Sequence, residues 1–210
     1  MPPTDTTRSA LLRRAFTLER LTLGWMTIEA VVGIGAGIAA RSLTLTAYGL
    51  DSVIELSSAL VLLWRLNVEL RHGEAFSERA ERVAQRIGGG LLYGLAAYIV
   101  VGAAWSLWTR HGGDFSLPGL IVAALAMPIM YWLARRKVEV ATRLGSRAMR
   151  ADAVESITCG WLSLVVVVGL AVRVLLGAWW IDPLTSLAIV WFVVKEAREA
   201  WEGEACCEHE

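Results

Sequence analysis

Charge is scarce in this 210-residue sequence: Asp, Glu, Lys and Arg make up 19% of it, where soluble domains carry roughly 25%. Long stretches hold almost none, and hydrophobic residues reach 56%. A soluble globular domain is excluded. Net charge is lacking too, with 20 basic against 20 acidic residues, so the basic patch that nucleic acid requires is missing. Three cysteines make no disulfide framework: Cys159 lies in an apolar stretch, and Cys206 and Cys207 adjoin one another near the carboxyl end. The three histidines, His72, His111 and His209, all fall outside the apolar stretches. Residues 1–14 have no apolar core of the signal-peptide kind and end in Arg13 and Arg14, so the first apolar segment is expected to remain as a helix.

What is present is a series of apolar segments, each near the roughly 20 residues that cross a bilayer. Six spans are expected, at about 18–40, 43–66, 87–108, 117–133, 151–176 and 180–194. The sixth is short and is expected to continue as an exposed helix through Glu196, Arg198 and Glu199. Pro183 suits its first turn, and Pro128 should kink the fourth. The fold class is therefore all-α, a polytopic membrane protein of six transmembrane helices. Its expected parts are a cytoplasmic segment at 1–14, a six-helix membrane domain at 15–202, and a short tail at 203–210.

The basic residues orient it. Seventeen of them precede or open the first span, lie at or between the facing ends of spans two and three or of four and five, or follow six; Arg41, Arg110 and Arg173 fall on the other side. Positive residues stay inside, which puts both termini in the cytoplasm and the protein in the cell membrane. Trp105, Trp108, Trp179 and Trp180 then sit as anchors at the outer interface. Gly33 with Gly37, and Gly90 with Gly94, have GxxxG spacing, which serves close helix contact within one bundle or a dimer seam.

Carboxylates inside apolar spans are costly and mark function. Asp51 and Glu55 stand four apart in span two, hence on one helix face. Asp152, Glu155 and Cys159 share a face of span five by steps of three and four, and span one carries Glu29. Two helices presenting such pairs suit a divalent cation, with a thiolate shifting preference towards zinc, iron, cobalt or cadmium. The plainer alternative is that these groups only hold helices together. No basic residue lies within spans one, two or five near them, apart from Arg147 and Arg150 at the mouth, so a mobile cation is the better counter-charge. Cys159 has its own plain reading, as a small hydrophobe.

The stretches 49–55 (GLDSVIE) and 150–159 (RADAVESITC) resemble the second- and fifth-helix motifs of the cation diffusion facilitator family of divalent-metal transporters. Residues 181–184 (IDPL) resemble the start of that family's sixth helix, and 78–86 its entry to the third. The likeness covers about 12–200. It implies a metal site at Asp51, Glu55, Glu155 and Cys159, with Glu29 and Asp152 as outer-shell partners or proton carriers. Two features depart from the family pattern: Glu155 and Cys159 stand where a His and an Asp are usual, and the chain resembles a short form lacking the cytoplasmic C-terminal domain.

The resemblance implies a secondary transporter, not an enzyme, that exports a divalent cation in exchange for protons, as a homodimer in the lipid bilayer. An intramembrane metalloenzyme and a non-transporting metal-binding partner are the alternatives; the absence of histidine from the spans weakens the first. The tail offers Cys206, Cys207 and His209 either as a cytoplasmic metal lure or as a solvated end. Depth raises one further expectation. Asp51 lies about 14 Å and Cys159 about 27 Å below the outer helix ends at 1.5 Å per residue, so helix five should tilt or project.

Overall fold

The computed structural model describes residues 5–72, 78–145 and 147–202, and among these all regular structure is helical. The helices are α1 (Asp5–Ala40), α2 (Leu43–His72), α3 (Glu78–Thr109), α4 (Leu117–Leu144), α5 (Arg147–Leu176) and α6 (Ile181–Glu202). The apolar spans read from the sequence are thus the inner parts of longer helices. Four of these, α1, α3, α4 and α5, carry segments long and apolar enough to cross a membrane. The other two, α2 and α6, carry the acidic residues described below. Large apolar side chains such as Val31, Ile38, Val101 and Leu175 face outwards, a surface suited to lipid and costly in water. This is a multi-pass membrane protein.

Small residues set the closest contacts. A Cβ on Gly49 would lie 2.5 Å from the backbone nitrogen of Ile34, and one on Gly33 would lie 2.9 Å from Gly49 Cα. Gly37 is equally tight against Thr46. The GxxxG of α1 therefore docks α2 inside the bundle. The glycines of α3 do not work this way: Gly94 has open space around its missing Cβ, and Gly90 meets only the Trp201 ring at 3.9 Å. Packing is closest within the pairs α1–α2, α4–α5 and α3–α6, and α1 also packs on α4. One apolar cluster joins Tyr48, Leu92, Ile99, Leu162, Val166 and Ile189. A second joins Leu18, Met26, Met130, Leu133, Met149 and Cys159.

The three short connections after α1, α3 and α5 are tied together at one end. Ser42 Oγ donates to Asp182 Oδ1 at 2.5 Å, and the Leu43 N–H donates to Asp182 Oδ2 at 3.0 Å. An acid on α6 thus caps the first turn of α2, where backbone donors have no helical partner. Asp114 N–H donates to Ala40 O at 2.7 Å, and Arg173 Nε donates to Gly113 O at 3.0 Å. α4 has its own cap, Ser116 Oγ accepting from Gly119 N–H, and ends at Gly145 with φ 64°. It runs on through Pro128 as helix. Trp105 and Trp108 are exposed on the last turns of α3, as interfacial anchors would be.

Gly169 of α5 lies against Thr185 of α6. Thr185 is one turn from the start of its helix, whereas Gly169 is two turns from the end of its own. α5 therefore projects past α6 by about 4.5 Å at 1.5 Å per residue, in the expected direction but well short of the roughly 13 Å difference in depth between Asp51 and Cys159.

Candidate metal centre

The carboxylates of Asp51 and Glu55 are buried, at 2% and 1% exposure, on the face of α2 that also carries Tyr48 and Ser52. Glu196, on α6, completes a group with them, one ligand oxygen from each lying within 4.8 Å of the others. Two carboxylate oxygens bound to one divalent ion at 2.0–2.2 Å sit about 3–4 Å apart, so the three need close by only about an ångström. Asp51 Oδ1, both Glu55 oxygens and Glu196 Oε2 are buried without a hydrogen-bond partner among the described residues. Lys195, the adjacent base, is turned outward to Glu199 at 3.8 Å. Unpartnered carboxylate oxygens out of contact with water are unfavourable unless a cation or protons join them.

Glu196 is the residue that the sequence reading places outside the site, on an exposed extension of the sixth span. The apolar run stops at Val194, where Lys195 and Glu196 follow, yet the helix continues to Glu202 and turns Glu196 inward. The usable signal was helical phase: Ile189, Val193, Glu196 and Ala197 share one stripe, of which Ile189, Val193 and Ala197 are fully buried.

Glu155 and Cys159 lie beside this group, Cys159 within electrostatic reach of Glu55 and Asp51. Glu155 is half-buried on α5, within electrostatic reach of Asp51 and Asp152. Cys159 is packed in the second apolar cluster, with Sγ 3.8 Å from Glu29 Oε2. Glu29 is fully buried and also accepts from the Tyr48 hydroxyl at 2.7 Å; that hydroxyl lies 3.0 Å from Ser163 Oγ. Glu29, Tyr48, Ser163 and Cys159 thus form a hydrogen-bonded layer next to the acidic trio.

Asp152 has a fixed base. Lys137 Nζ lies 2.5 Å from Asp152 Oδ2 and 3.4 Å from Glu19 Oε1, and all three side chains are buried. The expectation that no base reaches these acids considered spans one, two and five, but Lys137 comes from α4, beyond the 133 limit read for its span. Glu19 likewise sits beside Arg20 in the basic entry to α1, yet it is buried on the stripe of Ala15, Thr22 and Met26. Cys206, Cys207 and His209 lie outside the described residues, as does the rest of the tail. An open cavity of about 720 Å³ at the tied end is lined by Gly37, Arg41, Thr46, Tyr98 and Trp105, and by no member of the trio.

Residues 21–202 match the family of cation efflux transmembrane domains. The chain belongs to that family. It is also 29% identical over 175 residues to a protein of Synechocystis sp. described as an uncharacterized transporter. That match covers 76% of this chain and 56% of the relative, so this chain spans little more than half the length of the relative it matches. The family match begins just after Glu19 and takes in every member of the acidic trio.

Proposed function

We propose that this cation efflux family member is a secondary transporter that carries a divalent metal cation, of the zinc, iron or cobalt class, out of the cytoplasm in exchange for protons. The carrying observation is the convergence of Asp51, Glu55 and Glu196 between α2 and α6, with four carboxylate oxygens that have no partner among the described residues. Carboxylates match hard and borderline cations. They must lose protons to bind metal and can regain them when it leaves. Glu155 stands close enough to enter the site as helices shift, and Cys159 with Glu29 forms the adjacent layer. Discontinuous access from either side, by one group of helices moving against another around a central site, is the general mode for such transporters. The homodimer and the cell membrane belong to the same reading. Family membership favours transport over an intramembrane metalloenzyme.

The test is uptake by proteoliposomes holding the purified chain, with zinc, ferrous iron, cobalt, cadmium and manganese outside and a pH-sensitive dye inside. Metal should enter while protons leave, and Asp51→Asn and Glu55→Gln should each abolish both movements. Wild-type vesicles no more permeable than protein-free ones, or metal flux that persists in both variants, would overturn the reading.

A further inference from the structure

The bundle contains a second buried ionic cluster that the proposed transport site does not use. Lys137 Nζ, on α4, has no exposed surface. Asp152 Oδ2 of α5 lies 2.5 Å from it, Glu19 Oε1 of α1 lies 3.4 Å away, and it donates to Ser156 Oγ at 3.3 Å. Ser156 in turn donates to the backbone oxygen of Asp152 at 3.1 Å. One ammonium is thus enclosed by oxygens from three residues on two other helices. Buried ion pairs of this kind bring little net stability over apolar packing, so stability alone does not account for the lysine.

Its position suggests what does. Asp152 stands one turn from Glu155 on α5, and Glu155 lies within electrostatic reach of Asp51 as well as of Asp152 and Lys137. Asp152, Glu155 and Asp51 therefore form a stair of acids from the Lys137 cluster to the trio. Without Lys137, Glu19 and Asp152 would be a pair of buried carboxylates beside a serine hydroxyl, a donor set suited to a divalent ion.

The geometry points to Lys137 as a resident cation: it fills a dicarboxylate pocket, Glu19 with Asp152, that would otherwise capture the transported metal beside its route. The lysine is a specificity-determining positioning residue. A tethered ammonium is always present, whereas a free ion must arrive from dilute solution. Among the described residues the acidic trio has no such occupant, since Lys195 pairs with Glu199, and so remains the place where metal binds. This inference rests on the transport reading only for the purpose it assigns to the pocket; the pocket itself can be tested separately.

The experiment is equilibrium binding of zinc alone to the purified full chain in nanodiscs. Wild type should bind about one ion per chain at the trio, and Lys137→Met about two, a twofold rise in stoichiometry. Lys137→Arg should remain at about one. Adding Glu19→Gln and Asp152→Asn to Lys137→Met should return it to about one. In a Glu55→Gln background, Lys137→Met should still gain its ion, so failure of the trio and failure of the pocket are told apart. If Lys137→Met folds only with zinc present, and does so in the Glu55→Gln background as well, zinc has replaced the ammonium and the inference stands. A folded Lys137→Met that binds no additional zinc, or one that fails to fold even in saturating zinc, overturns it.

Discussion

Glu55 on α2 and Glu196 on α6 present ligand oxygens within 4.8 Å of each other and of Asp51, and three of their four oxygens are buried without a hydrogen-bond partner among the described residues. Side chains of like charge held this way weaken the empty bundle and gain from an arriving cation. Glu196→Gln should therefore reduce metal flux by about tenfold or more, the loss expected when a charged ligand is removed from a desolvated site. Thermal stability of the metal-free protein should stay level or rise. Flux and melting temperature measured on one preparation check both; wild-type flux would remove Glu196 from the site.

The α1–α2 contact should tolerate no side chain. Gly49→Val puts new carbon atoms against the Ile34 backbone, at a cost of about 1–3 kcal/mol for overpacking. Gly94→Ala, with nothing within 4 Å of the new Cβ, should stay level or gain up to about 1 kcal/mol from helix propensity. Thermal unfolding in detergent should separate the two, and equal melting temperatures would contradict the packing account.

Cys159 offers sulfur one layer from the carboxylates, hydrogen-bonded to Glu29. If it takes part in metal transfer, Cys159→Ser should lower cadmium and zinc flux relative to manganese by about tenfold, following ligand softness. Cys159→Asp should move relative rates further towards manganese. Competitive uptake from a metal mixture reads this directly, and an unchanged ratio in both variants reduces the thiol to packing.

Asp182 joins α6 to the start of α2 through Ser42 and the Leu43 N–H. Asp182→Ala should cost about 1–2 kcal/mol, as loss of a helix cap does. Asp182→Asn keeps an acceptor and should lose less. Chemical denaturation of the two variants checks the order, and equal midpoints would mean that the cap carries no weight.

The helices were largely legible in the sequence because apolar length and turn chemistry act locally. The expected spans begin or end within a residue of the helix at Ala40, Leu43, Thr109, Leu117, Leu176 and Ile181. The Asp51–Glu55 pair was legible for the same reason, since a four-residue step fixes a face. Lys137 and Glu196 were not, because both follow the point where hydropathy falls and a charged run begins. Arg135 and Arg136 do face outwards, over the rings of Tyr131 and Trp132. Lys137 instead continues the buried stripe of Met130, Leu133 and Ala134 towards Val140 and Ala141. Phase, followed past the hydropathy edge, separates the inward base from its outward neighbours. Which helices meet is another matter: that α6 brings its acid to α2 depends on tertiary contacts that no local spacing encodes.

The knot of connections at the tied end also bears on how the protein can be labelled. A Cβ on Gly113 would strike Ser42, and one on Gly112 would strike Trp179, so these loops have no slack between them. An epitope or fluorescent insertion at 41–42, 110–114 or 177–180 would prise the connections apart and release the Asp182 cap. Reporters for following the working cycle are better carried as single substituted cysteines on lipid-facing positions such as Val101 or Val31, whose side chains are largely exposed on the outside of the bundle.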